Sequence, residues 1–349
     1  MTVTILKGDC RDVLLDLPAD SVHCVVTSPP YWGLRDYGIE GQLGLEDSAA
    51  DYVAGMVAVF DAIRRPLRDD GTIWLNLGDS YAGGGNYRGI RSENTLTAKQ
   101  RSNRGATGVS QKLSALGKDA GAKAKDLVGI PWLTAFALRE AGWYLRQDII
   151  WAKPNPMPES IRDRCTKAHE YIFLLSKSSR YYYDADAIAE PLAETSVERL
   201  GQNIAEQRGS NRVPGKTNGP MKAVGRATDT YTARAYEHPQ SAPRGPASNF
   251  GIFDKRNKRS VWEVTTQGFS EAHFATFPPA LIEPCILAGC PEGGTVLDPF
   301  GGAGTTGMVA DRLRRNAILI EINPEYAALA ERRIRGDAPL FANVTDELS

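Results

Sequence analysis

Two hydrophobic periods alternate along this chain. Short apolar runs at residues 3–6, 22–27, 144–151, 170–175, 295–297 and 317–322 have the length and flanking turns of buried strands. Residues 72–77 alternate Ile73, Leu75 and Leu77 with Trp74 and Asn76, which predicts another strand, ending at Gly78-Asp79. Between these runs the spacing changes to that of helices. Residues 51–66 place Tyr52, Met56, Val59, Phe60 and Ile63 on one face, with "RDDG" as the expected stop. Further helices are expected at 11–17, 130–140, 278–288, 304–313 and 324–334, the second of these carrying Pro131 in its first turn, where a missing N–H costs little. Strands alternating with helices predict a mostly parallel sheet. No internal repeat is present.

Two stretches, 82–126 and 192–260, lack either period. Both are rich in Gly, Ser, Asn and Thr, and both are basic. Lys and Arg outnumber acids nine to three in 82–126 and twelve to four between Arg199 and Arg259. Formal net charge over the 349 residues is only -1, so the body outside these segments is acidic. Local polyanion contact and plain solvated loops both fit that distribution. The five cysteines show no CxxC, which points away from a disulfide framework or a zinc site and toward a reducing compartment. No signal peptide and no run of ~20 apolar residues is seen, so a soluble, cytoplasmic protein without a membrane partner is expected.

Candidate chemistry concentrates at two strand ends. The run Asp298-Pro299-Phe300-Gly301-Gly302-Ala303-Gly304-Thr305-Thr306-Gly307 joins a strand to a helix and contains G-x-G-x-x-G. Glu321 follows at the end of the next strand, where an acid can bind ribose hydroxyls. That pattern predicts a nucleoside cofactor. A P-loop is disfavoured, because no Lys follows the last glycine. Asp298 stands where a dinucleotide's pyrophosphate would lie, and its charge suits the cationic end of S-adenosylmethionine better. An NAD site and a purely structural turn are the alternatives. Joined head to tail, four successive strands deliver Asp298, Glu321, Asp9 and Ser28 at their carboxyl ends. Asp9 could accept from an adenine amino group or cap the helix that follows it.

The second strand end reads Thr27-Ser28-Pro29-Pro30-Tyr31-Trp32. Two prolines fix φ and push Ser28 toward extended geometry. Such a rigid corner can hold Ser28 Oγ and the Pro29 carbonyl as acceptors for an exocyclic amine, directing its lone pair at a methyl group. Tyr31, with Trp32 beside it, can present a face on which a flipped-out base stacks. An ordinary packed turn is the bland alternative. Pro284-Cys285 raises carbon-5 cytosine chemistry, which needs a cysteine nucleophile, but its apolar helical setting favours a core thiol. His169 and His273 are too scattered to indicate a metal.

In this order the motifs resemble the amino-methylating DNA methyltransferases of the β group, whose catalytic motif precedes the target-recognition region and whose cofactor motif comes last. "GDC" at 8–10, "TSPPYW", the 71–79 strand, "WAKPNPMPES…HEYIFLLSKS", "HFATFPPALIEPCI", "LDPFGGAGTTG" and "ILIEINPEY" carry the resemblance over about two-thirds of the chain. It implies an α/β, Rossmann-like methyltransferase fold in circularly permuted order with an inserted target-recognition region. The implied organisation is a catalytic half at 1–81 and 127–191, a basic insertion at 82–126, target recognition at 192–260, a cofactor half at 261–336 and a tail at 337–349. The implied cofactor is S-adenosylmethionine, bound by Asp9, Cys10, Phe277, Asp298, Pro299, Phe300, Gly301, Gly302, Gly304, Thr305, Thr306, Glu321 and Ile322. Ser28, Pro29, Pro30 and Tyr31 are the implied catalytic set. Trp32, Lys153 and Asn155 are expected near the target base, Asn155 alternatively in a rigid connection. Ser28, where Asp or Asn also occurs in the family, resembles the cytosine-N4 branch, with adenine N6 as the alternative. Double-stranded DNA is the implied partner, a cognate restriction endonuclease a further one, and both monomer and homodimer are open. Outside this family, a nicotinamide oxidoreductase or a catalytically silent DNA-binding protein would share parts of the pattern.

Overall fold

The computed structural model describes residues 1–34, 37–39, 41–82, 122–192, 255–266, 276–337 and 343–345. Contacts divide the chain into two units, one of Met1–Ile188 with Arg259–Ser349, the other Ala189–Lys258. In the second unit the described residues form a two-stranded antiparallel ribbon, β6 (Glu190–Pro191) with β7 (Lys255–Arg256), where Glu190 pairs with Arg256 and Lys258. The stretches 83–121 and 193–254, which hold most of the expected basic insertion and target-recognition region, lie outside the described residues, as do 273–275.

The larger unit is built on one sheet. Its strands in chain order are β1 (Thr2–Lys7), β2 (Val22–Thr27), β3 (Leu67–Leu77), β4 (Tyr144–Ala152), β5 (His169–Ser176), β8 (Val261–Glu263), β9 (Thr295–Asp298), β10 (Asn316–Glu321) and β11 (Asn343–Thr345). Their spatial order is β11-β1-β10-β9-β2-β3-β5-β4-β8, parallel except for β5, which runs against both β3 and β4. From β9 the chain winds outward one way through β10 to β11, with β1 lying between those two, and from β2 the other way to β3. The β9/β2 junction is therefore the switch point of the sheet, where open α/β folds bind ligands beyond the strand carboxyl ends.

Alternate side chains feed two cores. Cys24 and Val26 of β2, Ala317 and Leu319 of β10, and Ile172 and Leu174 of β5 pack on one face with α4 (Pro279–Gly289), α5 (Thr305–Arg312) and α6 (Pro324–Asp337). Val25, Ile318, Ile320, Phe173 and Leu175 pack on the other with α1 (Cys10–Asp16), α2 (Ala49–Ile63) and α3 (Ile130–Glu140). Burial on both faces is what the near-continuous apolar strands of the sequence require. Cys285 is 1 % exposed within α4, so Pro284-Cys285 contributes a core thiol.

Helix starts are fixed by specific acceptors. Asp9 caps α1 through the Arg11 N–H, and Ser48 caps α2 through the Asp51 N–H. The start of α3 is capped from a distance, Asp79 Oδ1 accepting from the Gly129 and Ile130 amides at 2.9 and 3.0 Å. The Ala82 amide donates to the Asp126 carbonyl at 2.8 Å, so the intervening basic insertion leaves and rejoins the fold at one point. Two expectations change. Helix α2 stops at Ile63, and "RDDG" lies inside β3, which begins at Leu67. The short strands β8 and β11 carry too few residues to show a period.

Candidate functional site

Beyond the carboxyl ends of β1, β10, β9 and β2 lies a pocket of about 1050 Å³, counting its open mouth, a size suited to a nucleoside-bearing ligand. The glycine loop between β9 and α5 forms its floor. Asp298 ends β9 at 2 % exposure and accepts three hydrogen bonds: from Thr27 Oγ1 at 2.7 Å, Thr306 Oγ1 at 2.6 Å and the Phe300 amide at 3.1 Å. Burial nevertheless dominates and raises its carboxyl from 3.8 to about 6, against the lowering effect of those donors. Glu321 ends β10. Its Oε2 accepts from the Gly302 amide at 2.7 Å and its Oε1 from the Asn323 amide at 2.8 Å. Burial also raises the Glu321 carboxyl, with Asp298 adding to the rise.

These bonds decide what the loop can hold. The Phe300 amide serves Asp298, the Gly302 amide serves Glu321, Gly301 donates to Ile320 O, and Gly304 to Gly301 O. Four amides that could cradle a pyrophosphate are thus spent inside the protein. Among the described residues no Lys or Arg lines the pocket, and its acids are Asp9, Asp298 and Glu321. A phosphate charge roughly 4 Å from one such carboxylate would meet ~4 kcal/mol of repulsion at an effective dielectric of about 20. The pocket suits a cation with ribose hydroxyls and disfavours a dinucleotide.

Gly304 opens α5 at φ +76, and a Cβ there would stand 2.8 Å from Ala330 Cβ, so α5 and α6 approach only over a bare backbone. Thr305 is held by Arg333, 2.7 Å from its hydroxyl. At the β1 end, Asp9 is bound by the Arg11 guanidinium, which holds its carboxyl below the usual range, and Arg11 also donates to Gly41 O at 2.9 Å. Asp9 is therefore both cap and pocket wall. Cys10 beside it is buried, its thiol pushed up to about 12.

The Ser-Pro-Pro-Tyr corner adjoins this floor. Ser28 and Pro30 line the pocket together with Asp9, Cys10, Phe277, Asp298, Pro299, Phe300, Gly301, Gly302, Thr305, Glu321 and Ile322. The Pro30 carbonyl accepts from Tyr52 of α2 at 3.0 Å, which locks the turn. Pro29, Tyr31, Gly304 and Thr306 are not on the pocket surface. Tyr31 stands on the other side of Ser28, its ring over Gly78, where a Cβ would come within 2.5 Å of it. Its hydroxyl lies 2.7 Å from Glu170 Oε2 and 3.1 Å from Asn76 Oδ1, and Lys153 pairs with Glu170 while resting on the Trp151 ring. Burial pushes the Tyr31 phenol well up, with Glu170 adding to it.

Two residues expected near the target base have partners inside the fold. Trp32 is 1 % exposed in the core beside α2, with its indole N–H donating to Glu46 O at 3.1 Å, so it packs and presents no face to a base. Asn155 uses both ends of its amide on the Thr266 backbone, at 3.2 and 2.9 Å, which makes it a clasp between loops. Several pocket residues escape sequence reasoning, among them Tyr37, Gln42, Leu43 and Leu329. Tyr37 meets Tyr326 edge to face at 6.4 Å, making an apolar slot. Of that pair only Tyr326 falls inside a motif. Glu170 and Asn76 also carry no spacing signal; strand pairing alone brings them to the corner.

Comparison with known proteins agrees with this architecture. The chain is 42 % identical over 330 residues to the Type II methyltransferase M.SmaI of Serratia marcescens, covering 95 % of this chain and 90 % of that one. Among solved structures, the PvuII DNA methyltransferase (cytosine-N4-specific) shares the fold at a TM-score of 0.56 and 18 % identity, with 99 % and 96 % of the two chains covered. A putative DNA modification methylase from Thermus thermophilus, complexed with S-adenosyl-L-methionine, does so at a TM-score of 0.55 and 21 % identity, with 99 % of each chain covered. The family model described as DNA methylase matches residues 22–332, and with a 42 % identical relative covering nearly the whole chain, this protein belongs to the N6/N4 DNA methylase family.

Proposed function

We propose that the protein transfers a methyl group from S-adenosylmethionine to the N4 amino group of a cytosine flipped out of double-stranded DNA. The observation that carries this reading is the shared pocket at the β9/β2 junction, lined at once by Ser28 and Pro30 and by Asp298 and Glu321. S-adenosylmethionine fits the donor set, since a buried carboxylate with no cationic partner among the described residues, a ribose-binding acid and a tyrosine-edged slot match its cation, sugar and base. Bound there, it supplies an electrophilic methyl group.

The protein's part is positioning. Ser28 Oγ and the Pro29 carbonyl accept the two amino hydrogens, so the nitrogen lone pair is drawn out of ring conjugation and faces the pocket. Tyr31 offers its ring to the flipped base, held in plane by Glu170 and Asn76. Lys153 neutralises Glu170 beside that base. Glu321 accepts from ribose hydroxyls with the lone pairs left by its two amide bonds. Residues 192–260 are assigned to target recognition, and 82–126 to a second basic loop over DNA.

Cytosine is preferred over adenine because a serine fills the position before Pro29-Pro30, as in the N4 branch that the motif resembles. Incubation with S-adenosylmethionine and mixed-sequence DNA, followed by nucleoside mass spectrometry, should yield N4-methylcytosine. N6-methyladenine alone would overturn the base assignment and leave the mechanism. Absence of any methylated base, with S-adenosylmethionine bound, would favour a silent DNA-binding protein.

A further inference from the structure

The side chain of Thr27 points from the last position of β2 to the last position of β9. Its hydroxyl donates to Asp298 Oδ1 at 2.7 Å, and the residue is fully buried. Residues 27 and 298 are 271 apart in sequence and become neighbours only because β9 inserts beside β2. Ser28 follows Thr27 directly, and Phe300 follows Asp298 by two. A single hydrogen bond thus joins the corner that holds the acceptor amine to the loop that holds the methyl donor.

From this geometry we infer that Thr27 is a positioning residue for methyl transfer, clamping the acceptor corner to the donor loop through Asp298. The inference rests on the reading of the pocket as an S-adenosylmethionine site. The clamp has two effects. It fixes the spacing of the two reacting groups, because Ser28 cannot shift along β2 without stretching the bond. It also supplies one of the donors that keep Asp298 ionised where a cation binds. Among the described residues, the other titratable groups lining the same pocket are Glu321 at the end of β10, Asp9 and Cys10 after β1, Tyr37, and Tyr326 of α6, while Arg333 of α6 reaches the loop at Ala303 and Thr305; β2 and the first turn of α5 contribute none to that lining.

A packing role and a clamping role separate in the variant Thr27→Val, which keeps the volume and branching of the side chain and removes only the hydroxyl. Binding of S-adenosylmethionine to the full chain is followed by titration calorimetry across pH, alongside kcat and KM for DNA. With the donor lost, the Asp298 carboxyl rises further. The acid limb of cofactor binding should move up by about one pH unit, which is about tenfold weaker binding on that limb. Turnover at saturating cofactor above that limb should still fall about tenfold with KM for DNA unchanged, and Thr27→Ser should restore both. A Thr27→Val protein with the wild-type pH profile and turnover would overturn the clamp. Loss of stability without a shift in the limb would do so as well, by leaving a packing role only. Wild-type protein that binds no S-adenosylmethionine would instead overturn the reading of the site itself, so the two failures are distinct.

Discussion

Asp298→Asn should make the empty protein more stable and the site useless. The ordinary carboxyl value of 3.8 applies in the unfolded chain, and burial lifts it to about 6 in the fold. An acid raised in this way stabilises the fold fully only when protonated, and that contribution is lost as pH rises from about 4 to about 6. A difference of about two pH units corresponds to ~3 kcal/mol that the ionised group costs near neutrality. Asparagine has nearly the same shape. Its Oδ1 can keep the bonds from Thr27 and the Phe300 amide, and Thr306 can turn its hydroxyl to accept from Nδ2. The variant should therefore gain ~1–3 kcal/mol at about pH 8, a rise of about 1–4 °C in Tm at roughly 1.4 °C per kcal/mol for a chain of this size. Thermal unfolding of both proteins at about pH 8 and at about pH 4, with and without S-adenosylmethionine, checks each part. The gain should vanish at the lower pH, and the cofactor should raise Tm of the wild type only. A variant less stable than the wild type at about pH 8 would refute the reasoning, because the charge would then be an asset to the fold.

Glu170→Gln removes the charge that Lys153 pairs with and weakens the acceptor for Tyr31. It should lower kcat by about tenfold while leaving the cofactor Kd unchanged by calorimetry; a matching loss of cofactor affinity would place Glu170 in the donor pocket instead. Gly304→Ala forces a Cβ toward Ala330 at positive φ and should cost ~2–4 kcal/mol in chemical denaturation. An unchanged midpoint would show that α6 yields freely. Trp32→Phe should destabilise by ~1–3 kcal/mol through the lost Glu46 bond and a small void, with DNA affinity per folded molecule intact. Weaker DNA binding without a stability loss would restore it as a base platform.

Strong periodicity makes most of the fold legible. β2 and α3 have the expected limits, because apolar runs there end at turn formers or caps. The expected third strand starts late, at residue 72, because Arg68, Asp69 and Asp70 break the apolar run, yet they belong to the strand at the rim of the sheet. The pocket residues on motifs are legible for a similar reason. Strand ends in a parallel sheet face one side, so Asp298, Glu321, Asp9 and Ser28 have to converge. What stays hidden depends on contacts between distant segments. Trp32 reads as an aromatic beside a catalytic corner, and only the packing of α2 shows it turned inward. Glu170 reads as part of a strand, and only the antiparallel pairing of β3 with β5 brings it to Tyr31.

Chain order also governs how this molecule is made. β1 finds its sheet neighbours only in β10 and β11, and β2 has one side unfilled until β9 arrives. A ribosome delivering the chain from its amino end therefore releases β1 long before either of its partners, and β2 long before β9. Through most of synthesis the nascent protein carries open strand edges, the surfaces most prone to mispairing between chains. β9 and β10, which fill the places beside β2 and β1, come late in the chain, so a nascent molecule that lacks them cannot bring donor and acceptor together.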